Sequence, residues 1–251
     1  MSNGIVSSVT RAGAYEPFDL QVARNQIQGH STVNIYGYQS SVTTTKIPLW
    51  ENATAYTFPS SAVAMTVASA AGATDAGVKI QVQGLDASYN ALNETVTLNA
   101  SGTATTTGLF LRINALITTS GNATGIVTAK NAGTTYAQIN VGFGRSLMSI
   151  YTVPNGYDFY LERVSANTSF NGNNTNFVTY QNLSTLNGVN TVTQNAPFVT
   201  AYNVLRVMPR KFSSKTDLQF LFVTSASTAA INLGVEGYLI ASDVLTTQSG
   251  Q

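Results

Sequence analysis

The sequence predicts an all-β fold, and three observations carry that prediction. Apolar residues recur at every second position, turn-forming Gly, Asn, Asp and Ser punctuate the chain at short intervals, and helix signals are nearly absent. Only residues 60–71, rich in Ala and Ser, are compatible with a helix, and there Val63, Met65 and Val67 alternate with small residues as a strand would. The chain has 251 residues, 43% of them hydrophobic, with 12 Tyr, 11 Phe and one Trp. That is enough apolar material for a substantial core, and enough length for one large β-domain or two of ordinary size.

The best-defined element is a hairpin. In Val78-Lys79-Ile80-Gln81-Val82-Gln83 apolar and polar residues alternate, and Leu92–Leu98 alternates again, with Glu94 interrupting its apolar face. Between them Gly84–Asn90 supplies the Gly, Asp, Ser and Asn of a connecting turn. Further strands are predicted over 109–117, 125–130, 136–141 and 147–153, separated by Thr119–Asn122, Asn131–Gly133 and Gly142–Gly144. A second series follows a tight turn at Pro154-Asn155-Gly156, over 157–167, 176–183, 200–207, 218–224 and 230–241, with a polar loop at Phe170–Thr175. Period-two alternation in both series implies antiparallel sheets with one face buried. The predicted organisation is two antiparallel β-sandwich, jelly-roll-like units at 46–150 and 151–245, preceded by an extended N-terminal arm at 1–45 and followed by a short tail at 246–251.

The chemistry available is sparse. Charged residues make up 9% of the chain, the formal net charge is +1, and there is one His and no Cys. Without Cys there is no disulfide framework and no thiolate metal site, and a lone His30 cannot build a multi-histidine centre. Nothing calls for a cofactor or metal. No Gly-x-Ser-x-Gly elbow accompanies His30, so it reads as a hydrogen-bonding residue of a turn or interface. Asp158 and Glu162, four apart, share a strand face as a carboxylate pair would, but Arg163 beside them is more simply a neutralising partner. The one local basic cluster, Arg206, Arg210, Lys211 and Lys215, reads as a solvated loop, so no nucleic-acid footprint is expected. Neither a signal peptide nor an apolar run long enough for a membrane span is present, and folding in a cytoplasm is expected. A chain this close to neutrality has little self-repulsion and is suited to permanent association. The expected activity is therefore docking, not catalysis.

The first 45 residues differ from the rest. Glu16–Arg24 alternates after a proline as an extended strand would and breaks at Gly29. An alternating strand outside the main pattern is suited to adding itself to a neighbour's sheet edge. On that expectation Phe18, Leu20, Val22 and Ile27 anchor the arm to a partner, with Arg24 and His30 hydrogen-bonding across the contact.

Three stretches, EPFDLQVARNQIQGH, VQGLDASYNALNETVTL and AQINVGFGRSLMSIYTVPNGYDFYLERV, together resemble a family of virion structural proteins of tailed phages of marine and freshwater bacteria, cyanobacteria among them. The resemblance spans residues 16–165. It implies a particle component assembled in a bacterial host cytoplasm, with other virion proteins as partners. A capsid decoration (cement) protein against the major capsid protein is favoured, with a tail, collar or fibre protein active in host attachment as the alternative. By analogy with decoration proteins the resemblance also implies a homo-oligomer such as a trimer.

Overall fold

The computed structural model describes residues 10–11, 14–170 and 176–243. The fold is all-β, with four small antiparallel sheets and a two-stranded ladder. In chain order the strands are β1 (Thr10–Arg11), β2 (Ala14–Tyr15), β3 (His30–Val42), β4 (Ile47–Pro48), β5 (Thr66–Ser69), β6 (Lys79–Leu85), β7 (Ala91–Thr97), β8 (Thr103–Thr105) and β9 (Arg112–Ser120). They continue as β10 (Val127–Asn131), β11 (Thr134–Ile139), β12 (Ile150–Thr152), β13 (Tyr157–Phe170), β14 (Val178–Leu186), β15 (Val189–Phe198), β16 (Ala201–Phe212), β17 (Asp217–Thr224) and β18 (Ala229–Ala241). One short α-helix, α1 (Phe18–Ala23), precedes β3.

Two cores organise the sheets. The sheets β11-β10-β5-β8 and β7-β6-β9 share one, built on Trp50, Met65, Ile80, Phe110 and Leu116. The sheets β16-β13-β18-β3 and β12-β17-β14-β15 share the other, built on Phe159, Leu161, Tyr180, Phe220 and Phe222. The hairpin predicted at 78–98 is β6·β7, paired from Lys79↔Thr97 to Leu85↔Ala91. Its turn is fixed by Asp86, whose Oδ1 accepts the amides of Ser88 (2.8 Å) and Asn90 (2.9 Å).

The pairings of the second sheet pair are nested. β14·β15 form a hairpin, and outside it lie β13·β16, then β12·β17, then β3·β18. The outermost pairing joins the first strand of this group to the last, so His30–Val42, expected within the arm, is an integral sheet strand. Sequence reading missed it because its inward face carries Gly37 and Gln39 after Val33 and Ile35. Gly37 is required there: a Cβ would lie 2.8 Å from the Ser149 Cβ.

One strand of this pair is interrupted. Along β17, Phe222 and Leu221 face Ile47 and Pro48 of β4, while Gln219, Leu218 and Asp217 face Ile150, Tyr151 and Thr152 of β12. The chain leaves that row at Leu49 and rejoins it at Ser149. The Ser149 amide donates to the Leu49 carbonyl (2.7 Å), and its hydroxyl accepts the Leu49 amide (2.8 Å) and donates to the Phe220 carbonyl (2.8 Å). The first core is thus an excursion of residues 49–149 out of one strand of the second unit.

A buried ion pair ties excursion to body. Arg112, opening β9, donates from Nε and Nη2 to the two carboxylate oxygens of Asp217 on β17, both at 2.8 Å, and the Thr152 hydroxyl donates to the same carboxylate (2.6 Å). The guanidinium also donates to the Pro59 and Leu111 carbonyls and lies 4.6 Å from the Phe58 ring centre. Bidentate geometry with the remaining donors satisfied is the condition under which a buried pair is tolerated.

Candidate association surface

The predicted arm anchors turn inward. Residues 16–24 form no extended strand, because Phe18, Gln21 and Val22 stand at i, i+3 and i+4 and fall on one side of α1, which begins after Pro17. Val22 is buried and Phe18 packs edge-on to Tyr238 and His30. The Tyr238 hydroxyl donates to Asp19, and the Gln21 side-chain Nε2 donates to the Glu16 carbonyl (2.7 Å). Arg24 is ion-paired with Glu16 on the same segment, and His30 opens β3 with Nδ1 3.0 Å from the Gln28 carbonyl. Ile27 is half-buried, and its carbonyl accepts the His30 amide. Of the six residues expected to hold a partner, Leu20 is the apolar one left facing solvent, 47% exposed.

The four most exposed large apolar side chains among the described residues, Val207, Met208, Leu205 and Val189, lie elsewhere, on edge strands of the second sheet pair. β15 is paired on one side by β14 and β16 on one side by β13. The sequence predicts a connection over 184–199 and a basic loop over 208–217. The first is a strand because Asn187-Gly188, both with positive φ (52° and 77°), makes the two-residue turn that joins β14 to β15. The second is strand as far as Phe212, after a bulge.

That bulge defines the candidate site. Leu161 pairs with Arg210 and Arg163 with Leu205, so Arg206, Val207, Met208 and Pro209 stand opposite Glu162 alone. Val207 is 99% exposed, Met208 86% and Leu205 71%. On β15, Val189 and Val192 are exposed as well. Single exposed apolar residues are ordinary, whereas three on one bulge, Leu205, Val207 and Met208, are the kind of local cluster that marks an interaction site. The bulge is pinned at both flanks: Arg206 donates to the Gln194 side chain (2.8 Å) and Arg210 to the Thr193 carbonyl, both on β15. These arginines close the gap between the two sheets and hold the apolar tip outward.

The carboxylates are placed in local pairs. Asp158 is buried against Lys211 (2.7 Å), and Glu162 lies beside Tyr238, whose phenol is pushed above its ordinary range by burial and by the neighbouring Asp19 and Glu162. Arg163 pairs with Glu236 at 3.7 Å on the exposed surface. Among the described residues no three His, Cys, Asp or Glu side chains converge as a metal site would require, and no helix is long and apolar enough to cross a membrane. The polar loop expected to project from 170 lies, over 171–175, outside the described residues, as does the tail at 246–251.

No protein-family model and no curated protein matches the chain. Among solved structures, one titled "Structure of infectious bursal disease virus Gt strain" aligns over 90% of this chain and 78% of its own, at 10% identity and a TM-score of 0.20. A likeness that weak carries no argument about function.

Proposed function

We propose that this chain is a non-enzymatic structural component of a tailed-phage particle, with capsid decoration favoured. The observation that carries the reading is the nested strand order: β14·β15, β13·β16, β12·β17 and β3·β18 are one long antiparallel hairpin wound on itself. We read that as a jelly roll, two sheets closed over one core, an architecture used by viral shells and also by lectins and cupins. The excursion is read as a second, smaller sandwich carried on one strand of the first. Strand order alone leaves the choice among those classes open. The resemblance of residues 16–165 to virion structural proteins and the scarcity of reactive side chains favour the particle.

The mechanism is association. The apolar tip at Leu205, Val207 and Met208 docks into another virion protein, the major capsid protein being the favoured partner. The uncharged β15 edge, with no Asp, Glu, Lys or Arg from Val189 to Phe198, is available for contact between copies in a homo-oligomer such as a trimer. The particle would be assembled in the host cytoplasm. The test is imaging of labelled protein on intact particles: label distributed over the head supports decoration, label confined to the tail or collar replaces it with the attachment role, and unlabelled particles overturn the virion reading.

A further inference from the structure

Six arginines have described side chains, and five of them have a polar partner: Arg24 with Glu16, Arg112 with Asp217, Arg163 with Glu236, Arg206 with Gln194 and Arg210 with Thr193. Arg145 makes no side-chain hydrogen bond and no ion pair within 4 Å among the described residues, although the Glu51 carboxyl is near enough to feel its charge. Its guanidinium carbon lies 4.6 Å from the Tyr36 ring centre, and its Nε is buried without a hydrogen-bond partner. Arg206 Nε is buried without a partner too, but that guanidinium is anchored to Gln194, whereas Arg145 has no side-chain hydrogen bond at all among the described residues, and a buried donor left unsatisfied costs about 1–3 kcal/mol.

Arg145 lines a cavity of about 250 Å3 between the excursion and the body. The walls are amide-rich: Asn34 comes from β3, Asn93 from β7, Gln83 from β6 and Asn114 from β9. Asn114 is already used, bonded through both ends of its amide to the Thr152 backbone. Gln83 donates to Gln81 (2.7 Å), which leaves its carbonyl oxygen to accept. Asn34 and Asn93, whose side-chain amides each carry a donor and an acceptor, border the cavity as well.

We infer that this cavity binds a small carboxylate carrying hydroxyl groups, a sugar acid of hexuronate size. A guanidinium with open N–H groups is matched in geometry and charge to a carboxylate. Hydroxyls both donate and accept, and side-chain amides supply the same two functions. The volume suits one monosaccharide unit, below the range of drug-sized pockets. This site is independent of the docking edge and stands whether or not the chain is a virion protein.

The experiment is an NMR titration of the full chain with sodium glucuronate, with glucose and sodium acetate as the probes that each lack one half of the recognition. Glucuronate is expected to shift cavity resonances saturably, with affinity at least about tenfold above that of either control, one charge-assisted hydrogen bond's worth. Arg145→Gln should lower that affinity about tenfold or more, and Asn93→Ala, an exposed position on β7, should weaken it measurably while leaving the melting temperature unchanged. If Arg145→Gln does not fold, Asn93→Ala decides. Absence of saturable binding, equal affinity for acetate or glucose, or glucuronate affinity unchanged in these variants overturns the assignment.

Discussion

The seam between excursion and body and the open edge of β15 and β16 use the same residue types to opposite ends. At the seam, Arg112 meets Asp217 in a buried bidentate pair, with Thr152 adding a third bond to the carboxylate. At the edge, Arg206 and Arg210 reach across to Gln194 and Thr193, neutral partners, and the residues between them are Val207, Met208 and Pro209. Charge is thus concentrated where the chain holds itself together, and apolar surface is displayed where nothing of its own covers it. Few charges do not mean a featureless surface: ion pairs fix the frame, and the frame presents an uncharged tip.

The largest effect is expected at the seam. Arg112→Met should destabilise the protein by about 3–5 kcal/mol, because Asp217 is left buried and uncompensated, whereas Arg112→Met with Asp217→Leu should recover much of that loss. Urea unfolding of the two variants measures both effects.

At the neck of the excursion, one residue is sensitive to pH. Glu51 accepts the Leu147 amide (2.7 Å) on one carboxyl oxygen, while the other is buried without a partner. Burial pushes its pKa up from 4.5 to about 7, against the opposing pull of the Leu147 amide and of Arg145, the charged group that faces it. The folded state therefore holds this proton more tightly than the unfolded chain. The contribution is fully present below pH 4.5 and is lost as pH rises through about 7. Glu51→Gln should stabilise the protein at pH 8 by at most about 3 kcal/mol, from 1.36 kcal/mol per unit, and should flatten melting temperature against pH between those limits.

Within the excursion, Asp75 shows the reverse. Burial alone would raise its carboxyl, but bonds from Ser69, Thr124 and the Gly125 amide outweigh that and hold it below the usual range. Its stabilisation is present above the ordinary carboxylate pKa and is lost as pH falls through the depressed folded value. Asp75→Asn should cost about 1–3 kcal/mol at pH 7 by thermal melting, less than breaking the seam. The edge comes last. Arg210→Ala should cost only about 1 kcal/mol, one hydrogen bond to a backbone carbonyl.

The same contrast explains what was legible in the sequence. Strands with one buried face were readable: Ile80 and Val82 on β6 alternate with Lys79, Gln81 and Gln83 because one side meets the core. β15 was not, since its face is solvent-exposed over Val189–Val192 and its residues carry no buried-polar rhythm. The usable signal was the Asn187-Gly188 pair, which specifies a hairpin whatever flanks it. Helix α1 was misjudged because Phe18, Leu20 and Val22 satisfy a two-residue period, and Gln21, the polar residue that completes the buried helical side, gives no hydrophobic cue. The bulge at Arg206–Pro209 and the interrupted strand depend on pairings between distant segments, which local periodicity does not encode. Arg145 carries no sequence cue for a similar reason: that its guanidinium makes no side-chain hydrogen bond among the described residues is a property of the fold.

A double substitution at the tip, Val207→Asp with Met208→Asp, read for folding and for assembly in parallel, separates docking from stability. Both side chains are nearly fully solvent-exposed, so unfolding free energy should change by no more than about 0.5 kcal/mol. Incorporation into purified particles should nevertheless be lost. A variant that folds normally and still enters particles at the parent's level would contradict the assignment of docking to this edge.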